Sequence, residues 1–431
     1  MSPASAGGPG ATLARNALWL AVGRVASQLF GVALTVVLAR SLGTAGFGQY
    51  AFVGAVVVIG NVITTFGMES LLVREIAGRR GDPARLLTAA LLIQLALSVA
   101  FVLLVVAGAP WLPGRTADTV AALRIYVLSL FPLAFNTVYS AALRAWERMD
   151  LYACASIGGA ALQTAAALAA VRAGATLPQL MLCLVLAQVV AAALDRLLCA
   201  VARPGFAFAA RTGPVAVANV FKRAWPFALL AGIGIVSQRI SVLLLALLAG
   251  DAPAGWFAAT ARVVEGLKLT HYALLGALLP VASRLAADSG WGAGAAAPEF
   301  LSGLVRRSRL VLLVVGLGAA VAASALATPL VTLLYGHAFR PAIGALRILA
   351  WAMVPYAAGA PTALALVSTG HERAVIRAGF AALAVTASAG ILLIPRAGVY
   401  GACAAVCAGE VVRTALLLLV AGRIHTPRWR E

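Results

Sequence analysis

The chain has 431 residues, of which 62% are hydrophobic and only 11% charged. Soluble domains carry about 25% charged residues, so this composition excludes a soluble globular protein and reads as an integral membrane protein. The net charge of +19 does not point to nucleic acid, because the basic residues sort by side of a membrane instead of forming one patch.

In chain order, residues 1–12 (MSPASAGGPGAT) are rich in Gly, Pro, Ser and Ala, so the segment is expected to be disordered. Twelve segments follow, each near the roughly 20 residues needed to cross a bilayer as a helix. Eight carry no charge: Ser41–Met68, Leu86–Ala107, Ile125–Leu143, Leu151–Val171, Ala173–Leu194, Leu310–Thr328, Ile348–Gly370 and Ala378–Pro395. Four carry internal charges: Asn16–Ala39, Ala224–Gly250, Ala254–Ser283 and Ala397–Ala421. These are continuous apolar runs and not alternating ten-residue strands, which excludes a β-barrel.

Between the second and third segments, Glu69–Arg85 reads as a short amphipathic helix. Its Leu71, Leu72 and Ile76 are expected to lie on the membrane and its arginines among lipid headgroups. Residues 202–221 form the longest Gly/Pro-punctuated basic connection in the middle of the chain. They divide it into a six-helix lobe over 13–201 and a second over 222–423, with a tail at 424–431.

The halves echo one another. Ser27-Gln28, Leu38-Ala39 and Ala45-Gly46-Phe47 recur as Ser237-Gln238, Leu248-Ala249 and Ala254-Gly255-Trp256. Six spans per half give parallel internal repeats about an axis along the membrane normal, around a central cavity. Alternate loops hold about a threefold excess of Lys and Arg, including Arg74, Arg79, Arg80 and Arg85 against lone outer residues such as Arg115 and Arg172. The positive-inside rule then sets both termini in the cytoplasm, and the basic loops form a contact surface for anionic lipids.

The internal charges are the candidate site. Each costs roughly 2.5–3.5 kcal/mol at the bilayer centre even on lenient scales, so it faces a water-filled cavity or a partner. Arg239 lies deep in the seventh span, where it lines a cavity or pairs with a backbone carbonyl or Glu265. Arg24 lies about 12 Å into the first span at 1.5 Å per residue, close enough to snorkel to the surface. Arg262, Glu265 and Lys268 stand at i, i+3 and i+6, where neighbours pair along one flank and one positive charge remains. They form either an anion or ion-coupling cluster or a self-neutralised ladder. Glu410 and Arg413 form a further i, i+3 pair. The amides Asn136, Gln163, Gln188 and Gln238, among others, line a hydrophilic path or join helices.

Much enzymatic chemistry is missing. The two lysines, Lys222 and Lys268, do not follow glycine, so there is no P-loop and no built-in ATPase. The five cysteines form no C-x-x-C, and the four histidines are scattered. No metal site and no cofactor are expected, and the first outer turn, 41–46, has no carboxylate for glycosyl transfer.

Several stretches resemble one family. Asn16–Gly31 (NALWLAVGRVASQLFG), Ala39–Tyr50 (ARSLGTAGFGQY) and Phe66–Ala77 (FGMESLLVREIA) are similar to the opening helices of bacterial polysaccharide-export flippases. These belong to the multidrug/oligosaccharidyl-lipid/polysaccharide exporter superfamily. Ser237–Leu245 (SQRISVLLL), Ala258–Glu265 (AATARVVE) and Leu278–Leu285 (LLPVASRL) resemble the same family's seventh and eighth helices. The family often has an acid two places after the helix 7 arginine, where this chain has Ser241, which leaves the energy source open.

The resemblance implies a non-enzymatic flippase of the bacterial inner membrane. It would move polyprenyl-pyrophosphate-linked oligosaccharide to the periplasmic leaflet by alternating access, for O-antigen, capsule or exopolysaccharide. A polysaccharide polymerase or chain-length regulator would be its partner. On that reading Arg24, Arg239, Arg262 and Lys268 compensate the diphosphate, while Glu265, Glu410 and Arg413 serve ion coupling or charge pairing. A lipid-linked peptidoglycan-precursor flippase and a multidrug/cation antiporter of the same superfamily are the alternatives.

Overall fold

The computed structural model describes residues 9–78, 82–209, 212–288 and 299–425. Residues 1–8 of the expected disordered segment and 426–431 of the expected tail lie outside them. Among the described residues the chain is helical and has no strand.

In order, the helices are α1 (Pro9–Thr65), α2 (Met68–Ala77), α3 (Pro83–Gly108), α4 (Ala117–Tyr126), α5 (Leu130–Ala145), α6 (Met149–Arg172) and α7 (Leu177–Ala202). They continue as α8 (Pro214–Leu248), α9 (Asp251–Asp288), α10 (Glu299–Ala325), α11 (Ala327–Tyr335), α12 (Pro341–Leu349), α13 (Met353–Ser368) and α14 (Glu372–His425).

Nine stretches among the described residues are long and apolar enough to cross a membrane, which makes this a multi-pass membrane protein. Two of them hold two expected spans each, because α1 breaks at Gly43 (φ 67°, ψ −173°) and α14 at Gly398 (φ 53°, ψ −128°). Only glycine adopts such angles without strain. Helix α9 is not among the nine; Asp251, Arg262, Glu265 and Lys268 all fall within it.

The chain forms two compact units, one of residues 1–41 and 53–235, the other of 42–52 and 236–431. Each of α1 and α8 therefore contributes to both.

In the first unit, α2 is packed into protein. Leu71, Leu72 and Ile76 are buried against Leu87 of α3 and Val138, Ala141 and Leu143 of α5. The expectation that these three lie on the membrane is thus overturned. An amphipathic pattern shows that one face is buried, not what buries it. Polar neighbours reinforce the docking. Glu75 is buried and held at 2.6 Å by Arg223 and at 3.3 Å by Arg74, while Glu69 pairs with Arg144 at 2.5 Å. Neither oxygen of Glu75 accepts a well-aligned hydrogen bond, so charge alone holds it.

In the second unit, the closing parts of the two copies of the repeated motif, residues 44–49 and 251–256, meet. Each follows a positive-φ glycine, Gly43 (67°) and Gly250 (95°). Gln49 Nε2 donates to Asp251 Oδ2 at 3.1 Å, and Gly48 and Gly255 let the two backbones touch. A Cβ on Gly255 would overlap the Thr44 carbonyl oxygen. Small residues of this kind let helices approach closely in membranes.

Candidate functional site

Helices α8, α9 and α14 carry the candidate charged residues of the second unit. On α9, Arg262 and Glu265 are one turn apart, and Arg262 Nη1 donates to Glu265 Oε2 at 3.2 Å. Helix α8 brings Arg239 to the other oxygen of the same carboxylate, Nη1 to Oε1 at 3.6 Å. Two guanidiniums thus share one acid, and one positive charge is left over. All three side chains are only about a quarter to a third exposed. Arg262 Nε is buried without a hydrogen-bond partner, so part of its donor capacity is unused.

One turn further along α9, Lys268 faces a different set of residues. Its Nζ lies 4.7 Å from the centre of the Tyr356 ring on α13, and the Arg413 guanidinium of α14 lies 5.9 Å from the same ring. The negative face of an aromatic ring attracts cations at this range. Arg413 also donates to Glu410 at 3.2 Å, the pair expected from their spacing. Beneath them His271 is fully buried, edge-on to Tyr356 at 5.9 Å between centroids, with Nε2 3.2 Å from the Leu312 carbonyl oxygen of α10. Gly316 of α10 leaves room for that histidine, since a Cβ there would sit 3.2 Å from His271 Nε2 and 2.9 Å from Ala357 Cβ.

Six of the seven candidate residues therefore fall into two neighbouring groups linked by α9. Arg239, Arg262, Lys268 and Arg413 are set against Glu265 and Glu410, a formal excess of two positive charges. The seventh, Arg24, is exposed on α1 in the first unit. Ser241, at the position where an acid was expected from the family pattern, is buried on α8. Tyr356 and His271 escaped the sequence reading, since nothing local marks an aromatic residue as the platform for cations on two other helices.

A family model described as polysaccharide biosynthesis protein matches residues 13–286, well over half of the chain. The chain belongs to the polysaccharide biosynthesis protein family. No curated protein sequence matches this family member, but solved structures share its fold at low identity. An inward-facing multidrug resistance MATE family transporter of the MOP superfamily is 16% identical, with a TM-score of 0.75 over 92% of this chain and 94% of its own. The lipid II flippase MurJ, in an inward closed conformation, is 11% identical, with a TM-score of 0.75 over 94% and 87%. A MOP superfamily transporter from Pyrococcus furiosus, described as having a binding pocket of reverse polarity, is 15% identical, with a TM-score of 0.69 over 97% and 96%.

The fold is the one seen in these solved transporters and in the flippase. The fold is shared by a drug transporter and a lipid flippase, so it does not choose between classes of cargo. That choice rests on the side chains.

Proposed function

We propose that this polysaccharide biosynthesis protein is a flippase for polyprenyl-pyrophosphate-linked oligosaccharide. It carries the headgroup from the cytoplasmic to the periplasmic leaflet of a bacterial inner membrane, with both termini cytoplasmic, by alternating access. The observation that carries this reading is the excess of cations among Arg239, Arg262, Lys268 and Arg413 over Glu265 and Glu410. At membrane depth an uncompensated positive charge is costly, and an anionic diphosphate supplies the missing countercharge. Guanidinium groups bind phosphate through paired donors, and Arg262 has a donor to spare. The polyprenyl tail stays in the bilayer while the headgroup crosses, and no covalent step is needed. Arg24 serves as an additional cation on the path.

A multidrug/cation antiporter would need the opposite balance, because its cationic cargo is repelled by a net positive site. A peptidoglycan-precursor flippase handles the same diphosphate chemistry, and the glycan distinguishes it from the favoured reading. The test replaces Arg239 and Arg262 with alanine, singly and together, and measures surface polysaccharide at matched membrane abundance. Export is expected to fall in each single variant and to be lost in the double. Unchanged export in all three would refute the cationic role.

A further inference from the structure

Three helices of the first unit each carry a pair of polar residues on one face. Asn136 and Ser140 stand four apart on α5, Ser156 and Gln163 seven apart on α6, and Gln188 and Asp195 seven apart on α7. Spacings of four and seven return to the same side of a helix. The three faces meet around one cavity of about 280 Å³ that is open on one side. Seven helical residues rise about 10 Å, a length that suits a small ring with its substituents. Gly159 and Ala191 also line the cavity and give it a stretch of bare wall.

Polar side chains inside a membrane span are costly unless they find partners, and several of these have none. Asn136 Oδ1, an acceptor, and Gln163 Nε2, a donor, are buried without a hydrogen-bond partner. Asp195 is 5% exposed, and its carboxyl makes no hydrogen bond or ion pair with the described residues. Arg196, next in sequence, is exposed.

This mixture selects what can bind. A metal ion or ammonium gains nothing from the N–H groups of an amide. A phosphate meets an acid, with no guanidinium or ammonium on the lining. An apolar molecule leaves the amides unpaired. A hydroxyl both donates and accepts, so a polyhydroxyl ring satisfies Asn136, Gln163 and Asp195 together, with its C–H face against Gly159 and Ala191.

We propose that this cavity is a binding site for one uncharged sugar ring, held by hydrogen bonds from Asn136, Gln163, Gln188 and Asp195. Its 280 Å³ falls at the small end of ligand pockets, roughly 300–1,000 Å³, which fits a ring and not a chain. That the ring belongs to the transported glycan rests on the transport reading above; the binding itself does not.

The test uses the purified full chain. Saturation-transfer NMR is recorded with glucose, galactose and N-acetylglucosamine as neutral probes, and with glucosamine and glucuronate as positively and negatively charged counterparts. At least one neutral sugar is expected to bind saturably in the millimolar range and more tightly than either charged one. Asp195→Leu and Gln163→Leu should each weaken that binding about tenfold. Asp195→Asn keeps two polar atoms in the same shape and should retain most of it. Gln163→Leu keeps the carboxyl group and supplies a readout should Asp195→Leu fail to fold. The site is refuted if no neutral sugar gives a saturable signal, or if both leucine variants leave the signal unchanged. Binding of glucosamine alone, lost in Asp195→Asn, would equally overturn it in favour of a cation site. Neutral-sugar binding that Asp195→Leu removes, with export unaffected by Arg239→Ala and Arg262→Ala, would keep this site while removing the diphosphate reading. No sugar binding, with export lost in those arginine variants, would do the reverse.

Discussion

Gly48 offers a sharp test of the packing that brings the repeated motifs together. A Cβ at this position would overlap the Asp251 carbonyl oxygen and lie 2.6 Å from its carbon and 3.0 Å from the Gly255 nitrogen. Carbon contacts are normally about 3.5–4.0 Å, so Gly48→Ala forces the two segments apart by about 1 Å. Every opposing atom is backbone, and no side-chain rotation relieves the clash.

Overpacking costs about 1–3 kcal/mol, and the upper end applies here. Against it stands the roughly 1 kcal/mol by which alanine improves on glycine in a helix, which leaves about 2 kcal/mol of net destabilisation. Gly54→Ala on the same helix is the control, since nothing lies within 4 Å of its added methyl; it is expected to be neutral or stabilising by up to about 1 kcal/mol. Thermal unfolding of the purified variants in one detergent, followed by tryptophan fluorescence, separates the two. If Gly48→Ala melts at or above the parent, or Gly54→Ala falls equally, the close approach is wrong.

Three further outcomes follow from the ion pairs and the aromatic platform. Glu265→Gln removes the acid shared by Arg239 and Arg262 and is expected to cost about 1–3 kcal/mol, below the value for a fully buried pair because these groups are partly exposed; adding Arg239→Gln should recover part of the loss in a double-mutant cycle. In the first unit, Arg223→Gln should cost more than Glu75→Gln, about 3 against about 1 kcal/mol. The first change leaves a buried carboxylate with one weaker partner, whereas the second leaves half-exposed arginines that water can solvate; chemical denaturation of both variants tests the order. Tyr356→Leu removes the ring shared by Lys268 and Arg413 and should lower stability by about 1–2 kcal/mol and reduce polysaccharide export, while Tyr356→Phe keeps the ring and should retain most of both.

The candidate site was partly legible in the sequence. An ionised residue inside an apolar run is conspicuous, and a spacing of three places two side chains on one flank of a helix, so the pairs Arg262–Glu265 and Glu410–Arg413 could be read directly. The contact between Arg239 and Glu265 was available as one of two options, since nothing local states which face of α8 meets α9. Lys268 shows the limit: its platform, Tyr356, is on α13, and the second cation over that ring comes from α14.

Composition and periodicity, acting through the cost of exposing polar groups to lipid, determined by themselves that this chain is a bundle of membrane-spanning helices with charges inside it. They also marked the duplicated motif, because glycine and small residues are needed wherever backbones turn or touch. Only the tertiary structure decided that α2 is buried in protein, that α1 and α8 each contribute to both units, and that the basic residues form two groups around Glu265 and Tyr356. Those outcomes depend on how each helix is rotated and which neighbour it meets, and that is set by the fit of whole surfaces rather than by any short stretch of residues.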